Sequence, residues 1–359
     1  MTNPDWDSLR KLPLVEYEPV SRLSRRESRI TRSAVPAIDA HNHLGRWLSE
    51  TGDWMTPDVT ALITLMNAHN VEAIVNLDGM WGDTLEENLD RYDRAHPGRF
   101  HTFCQLDWDL LARPGGDDEL LDMLRDNVAR GARGLKIWKT VGLKYRDESG
   151  KLVLPNDARV VEAVRLAGEL GIPVLIHTAD PVAFFDPLDR HNERLDELLT
   201  EKDWWFGDRD RFPPYEALLD ALEELVMAAP STRIVGAHVG SCAEDLDRLE
   251  RLLRAAPHYS VDIGQRIAEL GRQPRRTRAL IERFPDRILF GTDIYPITGR
   301  QYEQHFRFLE SLDEAFDYRP EHPVPPQGRW TVSGLGLDGD VLEKLYRGNA
   351  LRVLGVSPA

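Results

Sequence analysis

The chain has 359 residues, 42% of them hydrophobic, enough to bury a large core as one barrel-sized domain or two ordinary ones. Its 45 basic against 60 acidic side chains give a formal net charge of -15, which opposes nucleic-acid phosphates and anionic membrane surfaces, so neither is an expected partner. Cys104 and Cys242 have no CxxC spacing, which excludes a disulfide framework or a zinc ribbon and leaves two reduced thiols.

The opening stretch MTNPDWDSLRKLPLVEY lacks the apolar centre of a signal peptide, and no apolar run is long enough to span a bilayer, so a cytoplasmic protein is expected. Arg22, Arg25, Arg26, Arg29 and Arg32 form a basic run within residues 1–36. This segment reads as an N-terminal arm, solvated or lying on an acidic partner subunit of a homo-oligomer. Residues 37–359 read as the main domain. In it, short β-branched runs alternate with longer amphipathic ones, the pattern of a parallel sheet built from β-α units. The strand candidates are 37–43 (AIDAHNH), 71–78 (VEAIVNLD), 100–106 (FHTFCQL), 133–138 (RGLKIW), 172–177 (IPVLIH), 233–238 (RIVGAH), 258–263 (HYSVDI) and 287–293 (RILFGTD). Between them lie runs such as PDVTALITLMNAH and AEDLDRLERLLRAA, with apolar residues spaced by three and four as a helix requires. Eight such units in series predict an α/β fold, a (β/α)8 barrel of the triosephosphate isomerase type. An open doubly wound sheet is the alternative, but no GxGxxG follows the first strand. The connection after strand five, residues 178–213, is long, with a helical piece RHNERLDELLT and the aromatic cluster Trp204, Trp205 and Phe206. Such loops serve as lids or specificity walls. A last helix, GDVLEKLYRGNALRVLG, is expected to cap the outside of the barrel.

His41 and His43 stand two apart on the first strand, so alternation sends both rings to one face, roughly 6.5–7 Å apart along the strand and within reach of one metal ion. Asp39 shares their parity and is expected one layer deeper, orienting a ligand. Strand five ends in His177, strand six in His238 and strand eight in Asp293. In a barrel these ends converge on one small volume, and a buried cluster of imidazoles and a carboxylate without a cation would be costly. Three imidazoles and a carboxylate suit one zinc ion, and also manganese or iron, with a position left for water.

The motifs DAHNH, PVLIH, GAHVG and LFGTD at strands one, five, six and eight, with YRGNALRVLG near the end, resemble the amidohydrolase superfamily. The resemblance is to the amidohydrolase-related branch that also contains aminocarboxymuconate semialdehyde decarboxylase, and it covers residues 37 to about 355. It implies His41, His43, His177 and Asp293 as metal ligands, with His238 beside the water or the substrate. Asp293 would take a proton from that water, and His238 would act as base or electrostatic stabiliser. Binuclear members of the superfamily add a carboxylated lysine on strand four, where this chain has Lys136 and Lys139; pairing with an acid or with a substrate carboxylate is the preferred reading of such a lysine here.

Arg46, Trp47, Lys136, Trp138, Asp180, Arg266 and Tyr295 are further candidates for contact with substrate, and arginines beside aromatic rings suit an aromatic or unsaturated acid. Asp262 and Arg266 could instead pair within their own loop. The expected activity is hydrolysis of an amide, lactone or related bond of a small substrate by metal-activated water. The alternative is non-oxidative decarboxylation of an unsaturated or aromatic acid. Some aromatic-acid decarboxylases of the branch have Glu-x-His on the first strand, whereas this chain has His41-Asn42-His43, which leans towards hydrolysis. A third reading, a non-catalytic barrel, is opposed by the intact ligand set.

Overall fold

A computed structural model describes residues 5–356 apart from positions 14, 15, 18, 21 and 323. All eight expected strands form: β1 (Ala37–Asn42), β2 (Val71–Asn76), β3 (Phe100–Thr102), β4 (Leu135–Ile137), β5 (Val174–Ile176), β6 (Ile234–Gly236), β7 (Tyr259–Asp262) and β8 (Ile288–Leu289). They pair in parallel as two ladders, β1-β2-β3 and β4 through β8. Main-chain hydrogen bonds bridge both seams. Between the ladders, the Lys136 N–H donates to the Cys104 carbonyl (2.7 Å) and the Cys104 N–H to the Gly134 carbonyl (2.8 Å). On the other side, the Ala40 N–H donates to Phe290 (2.9 Å) and the Asp293 N–H to His41 (2.7 Å), completing the ring of the barrel.

The helices form where periodicity and caps agree. The Asp58 carboxylate accepts the Ala61 N–H at the start of helix Val59–His69, and Asn70 closes its end in the left-handed region. Helix Leu246–Ala255 is capped by Asp245 and buries Leu246, Leu249, Leu252 and Leu253 against the ring. Alternation along the strands separates two apolar clusters. Val174, Ile176, Ile234 and Val261 pack outwards against helices. Leu175, Val235, Leu289, Ile38 and Phe103 fill the interior together with Ala350, Leu351 and Val353. Of the closing run, Leu342, Leu345 and Tyr346 pack with the outer cluster as expected, and the last helix, Asn349–Leu354, packs onto interior side chains of the barrel. Its own Ala350, Leu351 and Val353 make that face apolar enough to do so.

The arm contributes little to this core. Helix Trp6–Arg10 buries none of its residues, and Ser28 is tied to the barrel by its N–H and hydroxyl, which donate to the Asp313 carboxylate (2.7 and 2.8 Å). The long connection after β5 is better anchored. Arg194, 1% exposed, hydrogen-bonds Glu269 beyond β7 and Glu197 in its own helix, Leu195–Thr200. That helix is shorter than the expected 190–200, because the Asn192 amide is used in the loop, donating to the Ala183 and Pro187 carbonyls.

Two local departures from regular backbone aim the strand ends. The β1–β2 register slips between Asp39 and Asn42, a bulge that overturns simple alternation. Asp39 consequently bonds the Thr292 N–H (2.9 Å), the Thr292 hydroxyl (2.6 Å), Asn42 (2.8 Å) and the Tyr302 hydroxyl (3.0 Å), and no histidine ring. The expected orienting role of Asp39 is thus not realised. At the other departure, after β6, His238 (φ 56°), Val239 (φ 63°), Gly240 (φ 65°) and Ser241 (φ 60°) make one left-handed turn. Such backbone costs non-glycine residues about 1–2 kcal/mol each. It is held by Asp262, which accepts the His238 N–H (3.0 Å), and by the Tyr215 hydroxyl, which donates to the Ser241 carbonyl (2.6 Å).

The turn lies against Tyr259, whose buried hydroxyl has no hydrogen-bond partner among the described residues, and a Cβ at Gly236 would overlap that hydroxyl. Gly236→Ala should destabilise the fold by about 1–3 kcal/mol, the usual cost of overpacking. The loss should shrink when Tyr259→Phe removes the opposing oxygen, as measured by urea denaturation of both single variants and the double. Equal loss in both backgrounds would show that the hydroxyl is not the obstacle.

Candidate metal centre

Each imidazole at the mouth of the barrel is oriented by what its second nitrogen touches. His41 Nδ1 lies 2.9 Å from Asp262 Oδ2, His43 Nδ1 2.6 Å from Asp78 Oδ1, and His238 Nδ1 2.8 Å from the Gly264 carbonyl. All three partners are acceptors, so each Nδ1 carries the hydrogen and, in a neutral ring, each Nε2 keeps a lone pair. Those lone pairs converge on Asp293. Its Oδ1 lies 3.3 Å from His43 Nε2 and 3.8 Å from His41 Nε2, and its Oδ2 lies 3.7 Å from His238 Nε2. Yet Asp293 Oδ1 is buried without a hydrogen-bond partner among the described residues. An orphaned carboxylate oxygen facing imidazole lone pairs is the donor set a divalent cation satisfies.

Ligand atoms of His41, His238 and Asp293 all lie within 4.8 Å of one another. His177 stands beside them, its ring 4.3 Å from that of His238, but its Nε2 bonds Asp180 Oδ1 at 3.2 Å. Lys139 Nζ holds the other oxygen of Asp180 at 2.5 Å, with the rings of Trp204 and Phe206 about it at 5.5 and 5.6 Å.

The surrounding charges follow from burial. Burial opposes ionisation of Asp293, but His41, His43 and Lys136 outweigh it and hold the carboxyl well below its ordinary value. Burial likewise disfavours a charged His43, and the carboxylates of Asp78 and Asp293 overcome it, lifting the ring to about 9. His177 is pushed down to about 4 and His238 well below its ordinary value, in both cases chiefly by burial. Burial also brings Lys136 down to about 8.

Lys136 is fully buried, with Nζ 3.5 Å from His41 Nε2 and 4.9 Å from the Trp138 ring. It is not among the side chains bounding the cavity, which measures about 700 Å³. Trp138, Asp180, Arg266 and Tyr295 do bound it, with His41, His43, His177, His238 and Asp293. Arg46 and Trp47 do not: Arg46 pairs with Glu87 (3.3 Å) over the Trp54 ring, and Trp47 packs at a tilt against Trp138 (ring centroids 4.3 Å apart). The suggested Asp262–Arg266 pair does not form, since Asp262 is committed to His41 and to the main chain of His238 and Gly264. Sequence reasoning had passed over Asp78 and undervalued Asp262, although both lie at the ends of candidate strands. It had no signal for Gln265, Phe184 or Arg319, which also bound the cavity.

The sequence matches the family described as Amidohydrolase over residues 38–356, and the chain belongs to that family. No curated relative matches it. Among solved structures, it is similar to a dihydroxybenzoic acid decarboxylase from Polaromonas sp. JS666 with bound manganese and the inhibitor 2-nitroresorcinol. The TM-score is 0.56 at 12% identity, covering 90% of this chain and 98% of the other. It is also similar to an amidohydrolase from Burkholderia multivorans with bound zinc, with a TM-score of 0.53 at 15% identity, covering 90% of this chain and 100% of the other. A TIM-barrel protein of Bordetella bronchiseptica gives 0.54 at 13% identity, covering 89% and 98%. These likenesses show the barrel fold.

Because Asp78 and Asp262 orient rings without facing the cation position, Asp78→Asn and Asp262→Asn should each weaken zinc affinity by about 10–100-fold. His41→Ala should remove most of the metal. Competition with a chromogenic chelator, on variants whose circular dichroism matches the parent, checks both; unchanged affinity would mean that the carboxylates do not act on the ligands.

Proposed function

We propose that the protein is a metal-dependent hydrolase that cleaves an amide, lactone or related bond of a small acidic or aromatic substrate. The observation that carries this reading is the convergence of Nε2 of His41, His43 and His238 on the Asp293 carboxylate, whose Oδ1 has no hydrogen-bond partner among the described residues. In it His41, His43, His177 and Asp293 hold one divalent ion, with zinc first and manganese or iron as alternatives. When bound, that ion lowers the pKa of a water towards neutrality and polarises the substrate carbonyl.

The chain's own groups handle the protons. Asp293 is ionised and has a free oxygen at the centre, so it can receive the proton of the attacking water. His238 gives its one ring hydrogen to the Gly264 carbonyl, so its Nε2, 3.7 Å from Asp293 Oδ2, is an acceptor that can take the proton on and return it to the leaving group. Trp138 and Tyr295 flank the centre, with ring centroids 5.1 and 5.7 Å from that of His43. They supply flat apolar surface for a ring-bearing substrate.

Decarboxylation would use the same cavity but needs a proton donor in place of an attacking water, and a neutral His238 is an acceptor towards it. Turnover in oxygen-18 water of a substrate found by screening lactones, amides and aromatic acids separates the two. Label in a new carboxylate without release of CO2 is expected; stoichiometric CO2 with solvent deuterium on carbon would establish decarboxylation. His238→Asn should lower kcat by about 10²–10⁴-fold while the metal stays bound. Near-full turnover by that variant would reduce His238 to a packing role.

A further inference from the structure

Five arginine and lysine side chains bound the central cavity: Lys139, Arg194, Arg266, Arg319 and Arg329. All but one have a carboxylate. Lys139 is held by Asp180 (2.5 Å), Arg194 by Glu269 and Glu197, Arg319 by Glu321 (3.7 Å) and Arg329 by Asp196 (2.8 Å). Among the described residues Arg266 has no carboxylate within 4.0 Å, and its guanidinium hydrogen-bonds only the carbonyl of its neighbour Gln265, through Nη1 (2.9 Å). It is also only 6% exposed and bounds the cavity. Glu197 is within electrostatic range of it, but that carboxylate is spent on Arg194 at 2.7 Å.

A buried guanidinium without a partner is an arrangement that folding alone disfavours, because the charge is desolvated and nothing is gained in return. A planar fork of donors facing a cavity is the geometry that receives a carboxylate with two parallel hydrogen bonds. The position is informative as well. Arg266 follows β7 and lies close enough to His238 that its charge disfavours a protonated ring there. The cavity is bounded by Arg266, Phe184 and Trp204 as well as by the metal centre, and about 700 Å³ is more than a single reacting group requires.

We propose that Arg266 is the receptor for a carboxylate that the substrate keeps throughout the reaction, distinct from the group that reacts at the metal centre. The substrate class is then a ring-bearing acid whose anionic group and scissile bond are separated, the ring lying against Trp138, Phe184, Trp204 and Tyr295. This rests on the hydrolase reading only for which bond breaks; the anion site is a property of binding and is tested without turnover.

The experiment is thermal unfolding of the metal-loaded protein and its Arg266→Met variant, alone and with benzoate, phenylacetate or benzene-1,3-dicarboxylate. Benzyl alcohol is the uncharged comparator. Without ligand, Arg266→Met should unfold about 1–3 °C higher than the parent, since an unpaired buried charge has been replaced by a side chain of similar volume. At least one carboxylate should stabilise the parent, with an affinity reduced tenfold or more in Arg266→Met and partly kept in Arg266→Lys. Benzyl alcohol should not distinguish the three proteins. A lower unfolding temperature or loss of folding in Arg266→Met would make Arg266 a structural residue and overturn the proposal. Carboxylate binding that is absent from the parent, or equal in parent and variant, would overturn it too. A failed oxygen-18 result leaves these measurements untouched, so the two readings fall separately.

Discussion

The whole site depends on where the Nδ1 hydrogens go. Asp262, Asp78 and the Gly264 carbonyl each accept one, and this decides the tautomer and the direction of the rings of His41, His43 and His238. With those hydrogens turned outward, the Nε2 atoms of all three rings turn towards the Asp293 carboxylate. A divalent cation bound there would take the place of the proton that the carboxylates otherwise favour on His43. The acceptors come from the ends of β2 and β7 and the loop beyond β7, and the rings from β1 and the turn after β6. The centre therefore exists only when the parallel ring has brought those strand ends together.

Strain is concentrated at the same place. His238, Val239, Gln265 and Asp293 all have positive φ, a region that side-chain-bearing residues enter only when their surroundings over-determine it. Asp262 illustrates how. One of its oxygens orients His41, and the other accepts the N–H groups of His238 (3.0 Å) and Gly264 (2.9 Å), so one carboxylate fixes both a ligand and the left-handed turn carrying the proton acceptor. Burial opposes its ionisation, and the His41 ring and these N–H groups outweigh that opposition and hold its carboxyl below the ordinary value.

The outer wall of the cavity has a different foundation. The 178–213 connection is tied to the barrel by Arg194, which reaches Glu269 while lying between the rings of Phe184 and Trp330 at 6.0 and 5.8 Å. Buried ion pairs of this sort define geometry more than they add stability, and removing one partner strands the other. Here the pair fixes the loop that carries Glu197, Trp204 and Phe184 around the cavity, and so shapes what can reach the metal centre.

Local chemistry in the sequence determined the architecture and the inner donors. The eight β-branched runs became the eight strands because β preference and turn residues act over a few neighbours, and His41, His43, His177, His238 and Asp293 were legible as strand ends. What depended on tertiary structure was which way each side chain turned. A bulge in β1 sent Asp39 away from the rings, and only the closure of the barrel brought Asp78 and Asp262 onto His43 and His41. His177 was drawn to Asp180 by a lysine one strand away, and Arg46 left the site for Glu87 and Trp54. These choices rest on hydrogen bonds between residues far apart in the chain, and spacing along a strand carries no information about which distant acceptor a ring will meet.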